Sequence, residues 1–192
     1  MYRIINNHED FLLINKSSGV IFHKGSETEG LLELLKKEAG IMELHAVHRL
    51  DKVTSGLLLF AKNIDTAKDI SRQFRNRLVE KYYIALSDRK PRKKQGLIKG
   101  DMGKARRGAW KLLRTMNNPA VTQFFSCSAG NNMRLFIIRP RTGKTHQVRV
   151  ALKSIGSPVL GDPLYHGKEE GLEIDRTYLH SYALSFTVRD KE

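Results

Sequence analysis

The chain has 192 residues, with 34 Lys and Arg against 20 Asp and Glu, for a formal net charge of +14 at pH 7. A hydrophobic content of 40% with 8% aromatics excludes a disordered chain, and no apolar run approaches the roughly 20 residues of a membrane-spanning helix. The start "MYRIINNHEDFLLINK" lacks the basic-then-apolar order of a secretory signal, and the single Cys127 allows no internal disulfide, so a cytoplasmic monomer is expected.

In chain order, "FLLIN" at 11–15 predicts a strand, "NKSSG" at 15–19 a turn and "VIFHK" at 20–24 a second short strand. "EGLLELLKKEAG" predicts a helix with Leu31, Leu34 and Leu35 on one face and Gly40 as its stop. Leu57 to Ala61 reads as a buried strand. Asp65 is the predicted cap of a helix from Thr66 to Arg77, with Ala67, Ile70, Phe74 and Leu78 as its apolar stripe. "VEKYYIALS" at 79–87 alternates as a strand does, which sends Tyr82 and Tyr83 to opposite faces.

"VTQFFSCS" and "MRLFIIR", joined by "AGNN", predict a hairpin. Thr145 to Ile155 predicts a helix closed by Gly156, with Val148, Ala151, Leu152 and Ile155 toward the core and His146, Arg149 and Lys153 on the other side. "TYLHSYALSFTV" at 177–188 is a late strand. Strands and helices interleave without a regular βα repeat. The expected class is therefore α+β, with a mixed, largely antiparallel sheet flanked by helices and loops. No linker divides the chain, so a single domain over 1–192 is expected, with a basic insertion at 88–118.

That insertion concentrates the charge. From Arg89 to Arg114 there are eleven Lys or Arg and one acid, Asp101. Such clustering suits phosphate neutralisation, because each contact releases counterions. Arg92, Lys93, Lys94, Arg106 and Arg107 are the candidate phosphate ligands, and a nucleic acid is the expected partner.

Some patterns fail. "RTGKT" at 141–145 resembles the end of a phosphate-binding loop, but Ile138 stands where that loop needs its first Gly. The seven histidines and one cysteine form no metal-site spacing, so no metal is expected. No G-x-S-x-G is present.

Three stretches hold: "HRLDKVTSGLLLFAK" at 48–62, "EKYYIAL" at 80–86 and "RPRTGKTHQVRV" at 139–150. In this order they resemble the RluA family of RNA pseudouridine synthases. "DFLLINKSSGVIFHKG", "GSPVLGDPLY" and "YLHSYALSFT" extend the likeness over nearly the whole chain outside the basic insertion. The resemblance implies the pseudouridine synthase catalytic fold in a compact form without an S4 domain. It also implies an isomerase acting on ribosomal or transfer RNA without metal or organic cofactor.

It further implies that Asp51 is the nucleophile, that Tyr83 lies against the uracil and that Lys144 is the basic partner of Asp51, with Arg149 as the alternative. Arg is common at the position of Lys144, and Lys keeps the charge while losing the planar fork. Arg49 is implied to fill the gap left by a flipped uridine. Leu58, His146 and Arg149 are expected around the substrate, and His48 and Thr54 as scaffold. The opening turn has Ser17 where the family usually has proline.

Overall fold

The computed structural model describes residues 1–22, 30–167 and 174–188. The chain forms two compact units, Met1–Glu80 with Ala183–Glu192, and Lys81–Tyr182.

The first unit is built on antiparallel strands β1 (Tyr2–Asn7), β2 (Phe11–Lys16) and β4 (Ser55–Ala61) in that order, with the two-residue β3 (His45–Ala46) on the far side of β4. β4 is the central strand and is buried on both faces, as its continuous apolar run requires. Helix α1 (Leu31–Ala39) stops at Gly40, whose left-handed backbone (φ 63°) returns its N–H to the Lys36 carbonyl. The predicted strand at 20–24 does not form over Val20–Phe22, and its last two residues lie outside the described segments.

Helix α2 (Ile64–Arg75) corrects two expectations. Its cap is Asn63 rather than Asp65: the Asn63 side chain accepts from the Thr66 amide at 2.8 Å. The helix ends before Leu78, which is 65% exposed and no part of the apolar stripe. Ile70 and Phe74 pack with Phe11, Leu59, Leu184 and Phe186. The Gln73 amide fastens the terminal segment by donating to the Thr187 carbonyl (2.7 Å) and accepting from the Thr187 amide (3.0 Å).

The second unit has the strand order β11-β5-β10-β9-β6. Its strands are β5 (Glu80–Ser87), β6 (Gln95–Gly100), β9 (Ala120–Ser128), β10 (Arg134–Pro140) and β11 (Leu179–Ser185), of which β5 and β11 each begin or end in the first unit. The β9–β10 hairpin forms as predicted, with Asn131 and Asn132 supplying the positive φ of its turn. The basic segment is more than an insertion. β6 is an edge strand paired antiparallel to β9, and only β7 (Met102–Lys104) and β8 (Trp110–Leu112) stand apart as a small hairpin around a 3-10 turn at Arg106–Gly108. Helix α3 (Gln147–Ser154) lays Val148, Ala151 and Leu152 on Ala85, Phe136, Ile138 and Leu179.

Arg149 corrects a further expectation. Its position on α3 suggested a polar face, yet it is 2% exposed. Its guanidinium makes a two-pronged bond to Asp162, Nε to Oδ2 at 2.6 Å and Nη2 to Oδ1 at 2.9 Å. Asp162 Oδ1 also accepts from the Leu164 and Tyr165 amides. The guanidinium lies 5.0 Å from the Tyr165 ring centre. The pair therefore ties α3 to the 157–167 loop.

Replacing Arg149 by Met strands a buried carboxylate, so urea denaturation should show a loss of about 3–5 kcal/mol, partly recovered by adding Asp162→Leu. Gly161 beside this pair has φ +73°, and a Cβ there would stand 2.1 Å from the Arg176 carbonyl oxygen and 2.6 Å from Ile174 Cγ2. Gly161→Ala should cost more than about 2 kcal/mol by the same measurement, since the obstacle is backbone as well as side chain.

Candidate active site

In the first unit the candidate nucleophile sits in a tight turn just before β4. Asp51 begins that turn, and its carbonyl accepts from the Thr54 amide at 3.1 Å. Leu50 before it and Thr54 after it are buried, so the turn is anchored at both ends while Asp51 itself keeps part of its surface. His48 is scaffold in this geometry: its Nε2 accepts from the Leu59 amide at 2.9 Å, and its ring stacks on Phe74 with centres 4.7 Å apart. Arg49 is exposed.

Leu58, expected to wall the base, has no exposed surface and pairs across to Ile14 of β2. It is a core residue, because β4 is covered on both faces and Leu59, on the opposite face, is buried as fully.

Beneath the turn lies a cation that the sequence reading passed over. Lys16, at the end of β2, is 0% exposed. Its ammonium donates to the carbonyls of Ser17 (2.9 Å), Val20 (3.2 Å) and Lys52 (3.2 Å). Burial pushes its pKa down to about 8, against the opposing pull of the nearby Asp51 carboxylate.

In the second unit, Tyr83 and Tyr82 face opposite sides of β5. Tyr83, in register with Ile138, packs half-buried on the cluster that includes Val148 of α3. Tyr82 meets the Arg139 guanidinium at 5.5 Å on the other face. The "RTGKTHQ" loop is organised by Gln147, to which the sequence reading gave no role. Its Oε1 accepts from the Thr142 hydroxyl (2.7 Å) and the Lys144 amide (2.9 Å), and its Nε2 donates to Val121 O and Thr122 Oγ1. Lys81 donates to the Thr142 carbonyl, and its own burial lowers its pKa.

Lys144 is half-exposed on this loop, and its ammonium donates to Asn118 Oδ1 at 2.9 Å. Asn117 and Asn118 are in turn held by the Asp101 carboxylate, which accepts from both their amides. The Thr115 hydroxyl, ahead of these amides and of Lys144, keeps the Asp101 carboxyl below its ordinary range.

His146 is left-handed (φ 55°) at the start of α3, with Nδ1 2.8 Å from the Tyr165 hydroxyl. That hydroxyl also accepts from the Trp110 amide, which joins the small hairpin to the loop. Arg149, expected at the substrate, is occupied by Asp162 instead. Arg92, Lys93, Lys94, Arg106 and Arg107 are all exposed. Among the described residues no group of three or more His, Cys, Asp or Glu could hold a metal ion, and no helix is long and apolar enough to cross a membrane.

Asn118, Asp162 and Lys16 were hard to find from sequence, because each acts on a residue distant along the chain. Lys16 alone left a trace: a lysine directly after an apolar strand, where the family's opening turn begins.

The family model described as RNA pseudouridylate synthase matches residues 10–154. The chain is 55% identical over 183 residues to an uncharacterized RNA pseudouridine synthase of Haemophilus influenzae, covering 95% of this chain and 81% of that one. It is 33% identical over 199 residues to ribosomal large subunit pseudouridine synthase C of Rickettsia prowazekii, covering 98% of this chain but 65% of the relative, just under two thirds of its length. The solved structure of human RNA pseudouridylate synthase domain containing 1 superposes with a TM-score of 0.78 at 27% identity, over 96% of this chain and 78% of that one. A chain so matched in sequence and in fold belongs to the RNA pseudouridylate synthase family.

Proposed function

We propose that this chain converts a specific uridine of ribosomal or transfer RNA into pseudouridine, with Asp51 as the nucleophile. The observation that carries the reading is the placement of Asp51. It is the one carboxylate of the "HRLDKVTSGL" motif, it lies on a turn anchored at both ends, and the buried Lys16 ammonium donates to the carbonyl of the next residue, Lys52. An ionised carboxylate on an anchored turn is a nucleophile held in place for attack.

In the reaction the N1–C1′ bond breaks, the uracil turns and C5 bonds to C1′. The C5 proton leaves to water and N1 ends protonated, so nothing is oxidised or reduced. Tyr83 supplies a ring to stack on the uracil and a hydroxyl able to handle the C5 proton. Lys144 is the basic side chain assigned in this reading as partner of the nucleophile, and Arg49 a planar cation to take the place of the flipped base. The exposed Arg92, Lys93, Lys94, Arg106 and Arg107 hold phosphates of a folded RNA that is read by loop shape and splayed bases. The enzyme acts as a cytoplasmic monomer and requires neither metal nor organic cofactor.

Incubation of the protein with ribosomal and transfer RNA transcripts tritiated at uridine C5 should release tritium to water. Asp51→Asn should reduce release by at least about three orders of magnitude while leaving the Kd for RNA within about threefold. Binding without release from any transcript would replace this reading with that of a non-catalytic RNA-binding protein. Neutralising Arg92, Lys93 and Lys94 together should flatten the slope of log affinity against log salt by about 2, at roughly 0.7 for each single-strand phosphate left without its cation.

A further inference from the structure

A sheet face turned to water normally carries polar side chains. In the second unit, Phe124, Phe136 and Ile138 point into the core under α3, so alternation sends Phe125 and Ile137 to the other face. Leu97, Phe125 and Ile137 are 51%, 47% and 47% exposed there, on three adjacent strands. The register sets Phe125 directly opposite Ile137. In the next row Gln123 stands between Arg139 and Leu97, and beyond it Lys99 stands opposite Val121. With Tyr82 and Arg141 these side chains line a groove of about 810 Å³.

The cations of this face are held in place. The Arg139 guanidinium lies 5.5 Å from the Tyr82 ring centre, and the Arg141 guanidinium donates to Gln123 Oε1 at 2.9 Å. None of the described residues lining the groove is acidic. An apolar protein partner would match Phe125, Ile137 and Leu97 but would desolvate three cations without compensation. A second copy of this chain, meeting itself across a twofold axis, would set the same three cations against one another. A strand of nucleotides meets both demands, because its bases are flat rings and its phosphates run alongside them.

We propose that this face is a second RNA-binding surface, which takes a single-stranded segment of the RNA. Phe125 stacks a base above the apolar row, and Lys99, Arg139 and Arg141 hold the neighbouring phosphates. The surface is distinct from Tyr83, which points to the other side of β5, and from the exposed cations of the basic segment named above. The choice of RNA as its ligand rests on the proposed function, but binding here needs no chemistry at Asp51.

The probe is an oligouridylate of about 12 nucleotides with a fluorescent end label and one 5-iodouridine, added to the full chain. Irradiation should cross-link it to Tyr82 or Phe125, located by mass spectrometry. Phe125→Leu keeps the apolar bulk and removes the ring. It should raise the Kd from fluorescence anisotropy at least about fivefold, whereas Phe125→Tyr should stay within about twofold of the parent. Lys99→Gln combined with Arg141→Gln, both at exposed positions, should flatten the slope of log affinity against log salt by about 1.4, at roughly 0.7 for each cation. This double variant decides the matter if Phe125→Leu does not fold.

Cross-links confined to Tyr83 or to residues off this face would overturn the proposal. So would a parent-like Kd in Phe125→Leu, an equal loss in Phe125→Tyr, or an unchanged salt slope. Polyglutamate competing as well as unlabelled oligouridylate would give the face to an acidic protein instead. A dimer in sedimentation that Phe125→Leu dissociates would give it to a second copy. A protein that releases no tritium from any transcript, yet cross-links at Tyr82 or Phe125, would sink the proposed reaction and leave this surface standing.

Discussion

The buried pair of Arg149 and Asp162 is the constraint on which the second unit depends. Asp162 is fully desolvated and has four donors, two from the guanidinium and two from main-chain amides. Such a carboxylate tolerates little movement of any partner, because each lost bond leaves charge unsolvated. Through it the third motif and the "GDPLY" segment are tied together. Tyr165 extends the arrangement: its ring lies against the Arg149 and Lys153 cations, and its hydroxyl joins His146 to the backbone of the basic hairpin. The loop bearing Lys144 thus runs into a helix that this network holds.

How much of this could be read beforehand depended on how local each determinant is. The stop of α1 at Gly40 and the opposed rings of Tyr82 and Tyr83 follow from single-residue rules and were legible. The start of α2 was misplaced by two residues because Asn63 and Asp65 are both good caps, and only the actual course of the backbone brings Asn63 to the Thr66 amide. β6 was missed because "QGLIKG" is short, glycine-flanked and set among cations. It is a strand because β9 offers it a ladder, which no pattern within the segment reveals.

The same division holds at the candidate site. Asp51, Tyr83 and Lys144 lie in stretches whose residue order is informative by itself. Arg149 lay in such a stretch too, and its fate was decided by a carboxylate thirteen positions away that was read only as part of a closing segment. Gln147 and Asn118 likewise act through bonds to distant backbone and side chains, the first shaping the Lys144 loop and the second receiving its ammonium. Candidate groups could be named from the sequence; the polar scaffolding around them could not, because periodicity reports which face is apolar and is silent about which buried polar groups find each other.

The bulge in β1 has a consequence of its own. β1 is the outer strand of the first unit's sheet and is exposed over most of its length, including Ile4 and Ile5, and its register against β2 shifts between Ile4 and Asn6. A flat apolar margin of this kind invites a neighbouring molecule to add a strand, the first step toward insoluble aggregates. The extra residue bends the margin and breaks the even spacing that a flat incoming strand would need. With Arg3 on the same strand, the irregularity makes this margin, despite its two exposed isoleucines, a poorer template for an added strand than an even one.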